Sequence, residues 1–263
     1  MLGSRIWSLQ AEAMCGRFVQ SYELNSLEER FKAIVQRQAA MKARYNVAPG
    51  QAAAVILEGP KGPCLDFFQW GLVPSWASDP RIGYKMINAR EETVWDKASY
   101  RNAIRYRRCI VPVNGFYEWL PLKNKHKQAV YFQHKDGRLA GLAGLWEVRA
   151  DREGGELFTF CIVTTSATPW MRRFHTRMPV LLSDDAIPDW LNHTLYRPDD
   201  LHPLLASSRK IALQAYPVSS RVNRVLYDDP DCVEPVGPSY RDDENPLKRG
   251  AESAAHRQIE FPI

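Results

Sequence analysis

No apolar run in this sequence approaches the ~20 residues that a membrane-spanning helix needs, so no membrane partner is expected. Cysteine is scarce: five residues, at 15, 64, 109, 161 and 232, an odd number without a CxxC pair. That argues against a disulfide framework and against a zinc site, and it favours a reducing, cytoplasmic compartment. The triplet Ala11-Glu12-Ala13 resembles a signal-peptidase site but lacks the apolar segment that must precede one, which excludes secretion. There is no internal repeat. Charge of one sign is also in short supply. A net charge of +5 suits an anionic partner but is far from that of a polycation. What is present is a chain of 263 residues, 45% apolar, ample for one hydrophobic core.

Residues 1–14 carry no pattern that must fold. Cys15 to Gln20 reads as a short strand. Ser26 with Glu29 forms a capping-box signature, and Leu27, Phe31, Ile34 and Val35 follow at helical spacing, which predicts an amphipathic helix over 26–43. Residues 44–50 read as a loop by their Asn, Pro and Gly. Strands are expected at Ala53–Leu57 and Leu65–Trp70, a loop over 71–83, and a helix over 91–105. Cys109–Val113 is a short apolar run of the buried-strand type. Val130–Gln133 and Leu139–Leu145 flank Asp136-Gly137, a hairpin signal. Further strands are expected at 157–164, 180–182 and 211–215, a short helix at 169–174, and a helix at 184–193 with Pro188 in its first turn. Beyond Gly237 the composition turns polar and charged, so 238–263 is expected to be disordered. The class is α+β with mostly antiparallel sheet.

The stretch with the most chemistry is Met14-Cys15-Gly16-Arg17-Phe18. If Cys15 is the first residue of the working protein, it carries a thiol and an α-amine on adjacent carbons. Their ordinary pKa values are about 8.5 and about 7.7–8.0, so both are usable near neutral pH. Such a 1,2-aminothiol condenses with an aldehyde to a Schiff base and then closes a thiazolidine ring. A buried structural thiol is the competing reading for a lone cysteine.

Three polar residues keep it company. Glu118 stands among Phe116, Tyr117 and Trp119, where lost hydration would raise its pKa toward that of a proton shuttle. Strand alternation, with Phe116 and Glu118 on one face, is the plainer account. His175 could protonate a sugar oxygen or be a packing residue. Asn88 can donate and accept but cannot act as a base, so its part is positioning, or merely a turn. Arg17, Arg90 and Arg177 each stand two residues beyond one of the other candidates and would suit phosphate, as would the run Lys97, Arg101, Arg105, Arg107 and Arg108. Trp70, Trp76 and Trp95 offer faces for unpaired bases, although Trp70 is expected in the core.

Taken in order, several pieces resemble the SOS-response-associated peptidase (SRAP) family. They are Met14-Cys15-Gly16-Arg17, residues 44–50, residues 70–76, Ile87-Asn88-Ala89-Arg90, Gly115-Phe116-Tyr117-Glu118-Trp119, His175-Thr176-Arg177-Met178-Pro179 and Pro217-Val218-Ser219. The resemblance spans about 14–237. It implies a single compact domain around a barrel-like core, over 15–237. It also implies covalent capture of abasic sites in single-stranded DNA by the terminal cysteine, by a protein that is a monomer, needs no cofactor or metal and joins the nucleoid on DNA. It assigns Cys15 as nucleophile, Glu118 as proton shuttle, His175 to the sugar oxygens and Asn88 to positioning. Arg17, Arg90 and Arg177 match phosphate-contacting arginines, and Asn46, Pro49 and Trp76 match loops lining the DNA groove. Two departures stand out: fourteen residues precede Cys15, and Ala77 stands where some members carry a second tryptophan. On this reading 1–14 is absent or removed, either because Met14 is the true start or by self-cleavage. A cysteine-dependent self-processing peptidase and a non-covalent reader of single-stranded DNA are the alternative functions.

Overall fold

The computed structural model describes residues 15–34, 42–122, 127–150 and 154–241. The expected loss of residues 1–14, and the tail beyond 241, lie outside the described residues.

The chain runs β1 (Phe18–Gln20), α1 (Leu24–Phe31), β2 (Arg44–Val47), β3 (Ala52–Gly59), β4 (Gly62–Trp70), β5 (Asn88–Arg90), α2 (Ala103–Tyr106), β6 (Arg108–Val113), β7 (Gly115–Pro121), β8 (Lys127–His134), β9 (Ala140–Ala150) and β10 (Glu156–Ser166). It continues with β11 (Arg177–Pro179), β12 (Leu181–Leu182), α3 (Ala186–Leu191), α4 (Pro198–Ala206), β13 (Leu213–Pro217) and β14 (Tyr240–Arg241).

One sheet has the order β14-β13-β8-β7-β1-β2 and is antiparallel throughout. In the other, β10, β4, β3, β6 and β9 pair in turn and β9 pairs back to β10, closing a five-stranded barrel. Closure removes the open edges that would otherwise template association. The α+β class, the antiparallel bias and the barrel-like core all hold, with two parallel pairings, β10 to β4 and β10 to β5.

Three apolar clusters account for this layering. Phe18, Phe116 and Phe132 of the open sheet meet Trp70, Val111, Phe160 and Ile162 of the barrel. A second cluster seats the helices on the barrel through Leu27, Phe31, Trp190, Leu201 and Leu205. A third lays Val218, Val222 and Cys232 over Val19, Tyr117 and Tyr131 on the outer face of the open sheet. Covered on both sides, β6 is buried at every position, which is why it reads as a continuous apolar run. Its one charge, Arg108, lies over Trp190 and donates to the carbonyls of Ile104, Arg105, Trp190 and Asn192. Burial pushes its pKa down to about 10, and its donors are spent on the interior rather than on phosphate.

Several local expectations are corrected. The first helix is short, with Glu23 at its N-cap; Ser26 lies inside it, so the capping box does not form. It ends at Lys32 in the left-handed region (φ 54). Ile34 then pairs with the β4 edge, donating to the Pro63 carbonyl and accepting from the Leu65 N–H, so edge pairing replaces helix at that residue; residues 35–41 of the expected helix lie outside the described residues. The expected loop at 44–50 begins as β2. Residues 91–105 form turns, with helix only from Ala103. Val94 and Tyr100 are both buried, and one helix would set them about 120° apart, on different faces. The Asp136-Gly137 turn exists, with Gly137 at φ +76, but its flanking strands belong to different sheets and do not pair. The tail expected to be disordered from 238 first contributes β14, whose Tyr240 packs edge-on against Phe174.

The divergence of β8 and β9 is held by a chain of polar side chains. His134 Nδ1 lies 2.6 Å from Asp136 Oδ1, and its Nε2 accepts from Arg138 Nε at 3.0 Å. Arg138 in turn pairs with Asp184 at 2.9 Å. Burial, followed by the Arg138 charge, holds the His134 pKa below its ordinary 6.5. The native imidazole is thus neutral where the unfolded one takes a proton. Its contribution is complete above about pH 6.5 and is lost as pH falls below that value. Urea unfolding from pH 7.5 to 5 should therefore show wild type losing stability more steeply than His134→Gln; parallel curves would remove His134 from the acid response.

Candidate active site

The site forms where the open sheet meets the barrel. Along β7 the side chains alternate: Tyr117 and Trp119 join the outer cluster, while Phe116 and Glu118 point inward. Alternation therefore holds, and the face it selects for Glu118 is the buried one, at 4% exposure. Gly115 allows the approach, because a Cβ there would stand 2.2 Å from the Phe132 carbonyl oxygen. β1 lies beside β7 with Phe18 opposite Phe116. This carries Cys15 to the carboxyl, and the Cys15 nitrogen donates to Glu118 Oε1 at 2.8 Å. Cys15 is fully buried and takes φ 47, a left-handed conformation uncommon for a residue with a Cβ.

Burial raises the Glu118 pKa to about 8, against the opposing pull of the Cys15 N–H and of Lys127. Burial, and then the nearby Glu118 carboxylate, pushes the Cys15 thiol well above its ordinary value. This cysteine is thus a neutral thiol at rest. Its nucleophilicity depends on a base that takes the proton as the bond forms.

The barrel supplies the other candidates at the C-terminal end of β10. There β5 and β11 flank one strand: Asn88 stands opposite Ile162, Arg90 opposite Thr164, and Arg177 opposite Ser166. Arg177 clasps the two flanks, donating to Glu92 at 2.6 and 2.9 Å and to the Thr164 carbonyl at 2.7 Å. The Asn88 backbone is fixed by its place on β5 and by the Tyr100 hydroxyl, 3.2 Å from its carbonyl oxygen.

His175 precedes β11 and is half-buried. Its Nδ1 accepts the Arg177 N–H at 3.1 Å, which leaves the proton on Nε2. Burial lowers its pKa, and the charges of Arg177 and Lys127 act the same way, so the ring is neutral at pH 7. Lys127 acts on Glu118 as well as on His175, so the two groups share one electrostatic neighbourhood. Cys15 shares its cluster with Ile87 and Phe174, the neighbours of Asn88 and His175. Cys15 and Glu118 are thus in direct contact, while Asn88 and His175 stand on the barrel side, each next in sequence to a residue of the cluster that holds Cys15. Among the described residues no group of three or more His, Cys, Asp or Glu could hold a metal, and no helix is long and apolar enough to cross a membrane.

The expected DNA contacts separate into two sets. Arg17 and Asn46 face inward. Arg17 Nη1 donates to Asn46 Oδ1 at 2.7 Å and to the Val222 carbonyl, and Asn46 Nδ2 serves the carbonyls of Val222, Arg224 and Tyr227. In this structure these two motif residues fasten the 218–236 segment to β1 and β2. Arg107 is likewise held by Glu147 at 2.7 Å. Pro49 is half-buried, Arg90 is exposed and Trp76 is 62% exposed, so these remain available to a ligand. Trp70 is in the core, with Nε1 donating to the Ile87 carbonyl. The sequence reading missed Glu92 and Lys127. Glu92 stands two residues after Arg90, as Arg90 does after Asn88, and that spacing was its only signal.

A family model described as SOS response associated peptidase (SRAP) matches residues 14–225. The chain is 40% identical to "Abasic site processing protein YoqW" of Bacillus subtilis (strain 168), over 84% of this chain and 99% of that protein. It is 30% identical to "Abasic site processing protein HMCES" of Gallus gallus, over 76% of this chain and 68% of that one. A crystal structure of a protein from Bacteroides thetaiotaomicron is similar with a TM-score of 0.74 at 25% identity, covering 84% of this chain and 99% of the other. With the family match starting one residue before Cys15 and spanning every residue of the junction, this chain belongs to the SOS response associated peptidase (SRAP) family.

Proposed function

We propose that the chain processes abasic sites in single-stranded DNA by bonding covalently to them through Cys15, once Cys15 is the N-terminal residue. The observation that carries this reading is the 2.8 Å hydrogen bond from the Cys15 nitrogen to Glu118. If the residues before Cys15 are absent, that nitrogen is an amine already in contact with a carboxyl whose pKa is about 8. An ordinary α-amine titrates at about 7.7–8.0, so a proton passes between the two with little energetic difference. The names of YoqW and HMCES as abasic site processing proteins support the same substrate.

The steps balance as follows. The amine attacks the aldehyde carbon of the opened sugar while the Glu118 carboxyl, protonated at neutral pH, gives its proton to the aldehyde oxygen and takes the one the nitrogen sheds, which leaves a carbinolamine. The carboxyl then gives this second proton to the hydroxyl, water leaves, and the iminium and the carboxylate remain. The thiol then adds to that carbon, its proton going to the carboxylate, and the thiazolidine closes. His175 offers Nε2–H to the sugar ring oxygen or hydroxyl as the ring opens. Asn88 orients the reacting groups from β5. Arg90, Pro49 and Trp76 meet the flanking strand, and Arg177 braces the site. One copy of the chain suffices, and no cofactor or metal is required.

A second reading bears on how the amine arises. Cys15 holds φ 47, a strained conformation at the bond that would have to break. In this reading the Cys15 thiol attacks the carbonyl of residue 14 to form a thioester, the Cys15 nitrogen leaves as the amine with a proton from Glu118, and water hydrolyses the ester. The alternative of a plain non-covalent reader of single-stranded DNA lacks any use for the buried Cys15–Glu118 pair.

Three outcomes test the proposal. Protein beginning at Cys15 should form a heat-stable adduct with an abasic single strand on a denaturing gel. Cys15→Ala should abolish it, and Cys15→Ser should leave at most a labile imine; an undiminished adduct with Cys15→Ala would sink the assignment. Glu118→Gln should slow the adduct about 10²-fold or more, the lower range for a lost acid–base group. Since Glu118 is the acid only while protonated, the wild-type rate should fall above about pH 8, and the Gln variant should lack that limb. Arg90→Ala should instead weaken binding to any single strand and flatten the salt dependence by about one phosphate contact, measured by anisotropy at several salt concentrations.

A further inference from the structure

The inward face of the open sheet carries a row of residues that the chemistry above does not use. Phe18 pairs with Phe116, Phe116 with Phe132, Phe132 with Ala215, and Ala215 with Tyr240, across β1, β7, β8, β13 and β14. Residues paired directly across strands point to the same side, so these five form one line on one face. The small member of the line is Ala215, which is fully buried. Neighbouring strands lie about 4.8 Å apart, so Phe132 and Tyr240 flank the alanine as two walls roughly 10 Å apart. One aromatic ring fills that width, and the ring found there is Phe174, from the barrel side. Its centroid lies 5.0 Å from that of Phe132 and 5.4 Å from that of Tyr240, edge-on to both.

Phe174 immediately precedes His175. The segment carrying both is closed at its base, where the Ala167 N–H donates to the Thr176 carbonyl at 3.0 Å. Within it the N–H groups of Phe174 and His175 both donate to the Met171 carbonyl, at 2.9 and 3.1 Å. These bonds shape the turn but do not reach the open sheet, on which Glu118 stands. The rings of Trp170 and Phe174 do reach it, and Phe174 is gripped there from two sides. One of the two walls, Tyr240, lies beyond residue 225, where the family match ends. Its hydroxyl is buried and has no hydrogen-bond partner among the described residues, so the ring and not the hydroxyl is what it contributes.

We propose that Tyr240 is a positioning residue for His175. With Phe132 it forms the notch over Ala215 that seats Phe174, and it thereby sets the imidazole against the sugar oxygen that the imidazole serves as the ring opens. This assignment rests on the covalent-capture reading above and adds to it a residue that acts through Phe174 and not through the strand.

The test uses the chain beginning at Cys15 with two single strands. One carries a natural abasic site. The other carries an analogue lacking the hydroxyl that closes the sugar ring, so that its aldehyde is always open. Tyr240→Ala should slow the adduct with the natural site about 10- to 100-fold, the upper end being the loss for a group about an ångström out of place. Tyr240→Phe keeps the wall and should react as wild type. Binding to a strand bearing tetrahydrofuran, which has no aldehyde, should be unchanged in both variants. With the always-open aldehyde there is no ring for His175 to open, and Tyr240→Ala should match wild type. The double variant with His175→Ala should be no slower than His175→Ala alone, because the two changes remove one function. A further readout needs no adduct. Burial holds the His175 pKa below its ordinary 6.5, so loosening the ring in Tyr240→Ala should raise it, followed by NMR with the signal identified by its loss in His175→Ala. A wild-type rate in Tyr240→Ala, equal slowing with the open aldehyde, multiplicative losses in the double variant, or an unmoved imidazole would each overturn the positioning role. Failure of the parent reading is a separate result: wild type would then make no heat-stable adduct with either strand, while the imidazole titration would still set Tyr240→Ala apart from Tyr240→Phe.

Discussion

The hydrogen bond between the Cys15 nitrogen and Glu118 is the constraint around which the molecule is built. Burying a carboxyl is costly unless it is neutralised or well bonded, and here both remedies operate. The group accepts one N–H and titrates at about 8, so it enters the interior largely as the acid. Aromatic rings keep the surroundings dry: Phe18 against Trp70, Phe116 against Phe132, and Phe132 edge-on to Phe174. The packing that raises the pKa of the carboxyl also buries the thiol. The thiol therefore waits protonated beside the base it would need.

That arrangement requires the two sheets to be joined and each to keep its shape: Gln20 of β1 bonds Ala54 and Pro112 of the barrel, and further polar fasteners lock each sheet. Arg44 and the backbone N–H groups of Tyr45 and Asn46 all reach the Asp228 carboxylate. Asn46 satisfies three carbonyls of the 218–236 segment, and Arg17 joins it from β1. The outer face of the open sheet is covered in this way, and β1 cannot slide relative to β7. On the barrel side the Arg177–Glu92 pair, with side chains 15% and 48% exposed, clasps β5 to β11 across the end of β10. A mixture of charged residues that looks like a phosphate-binding set is thus largely a framework, while Arg90 and Trp76 stay exposed.

Much of the site was legible because its residues come in short motifs whose chemistry is local. The aminothiol needs only a cysteine at a chain start, and Gly115 to Trp119 reads as a strand with a carboxylate among rings. Legibility failed where a side chain's neighbours are distant in sequence. Arg17 lies 205 residues from the Val222 carbonyl it serves, and nothing nearby marks it as internal. Arg108 fails for the same reason: its partners include carbonyls 82 and 84 residues away. The Asp136-Gly137 turn misled because turn chemistry fixes the reversal of the chain but not whether the flanking strands stay together.

The sequence by itself determined the α+β class, the strand alternation that turns Phe116 and Glu118 to one side, the absence of a cysteine framework and which side chains are candidates for the chemistry. These follow from side-chain period and from intrinsic chemistry, which every residue carries with it. Only the tertiary structure decided which side of β7 is the inside, which arginines are fasteners, and that the Cys15 nitrogen meets Glu118 across 103 residues of chain. Burial and electrostatic environment belong to the assembled layers. A carboxyl becomes a neutral-pH acid only when both faces of its sheet are covered.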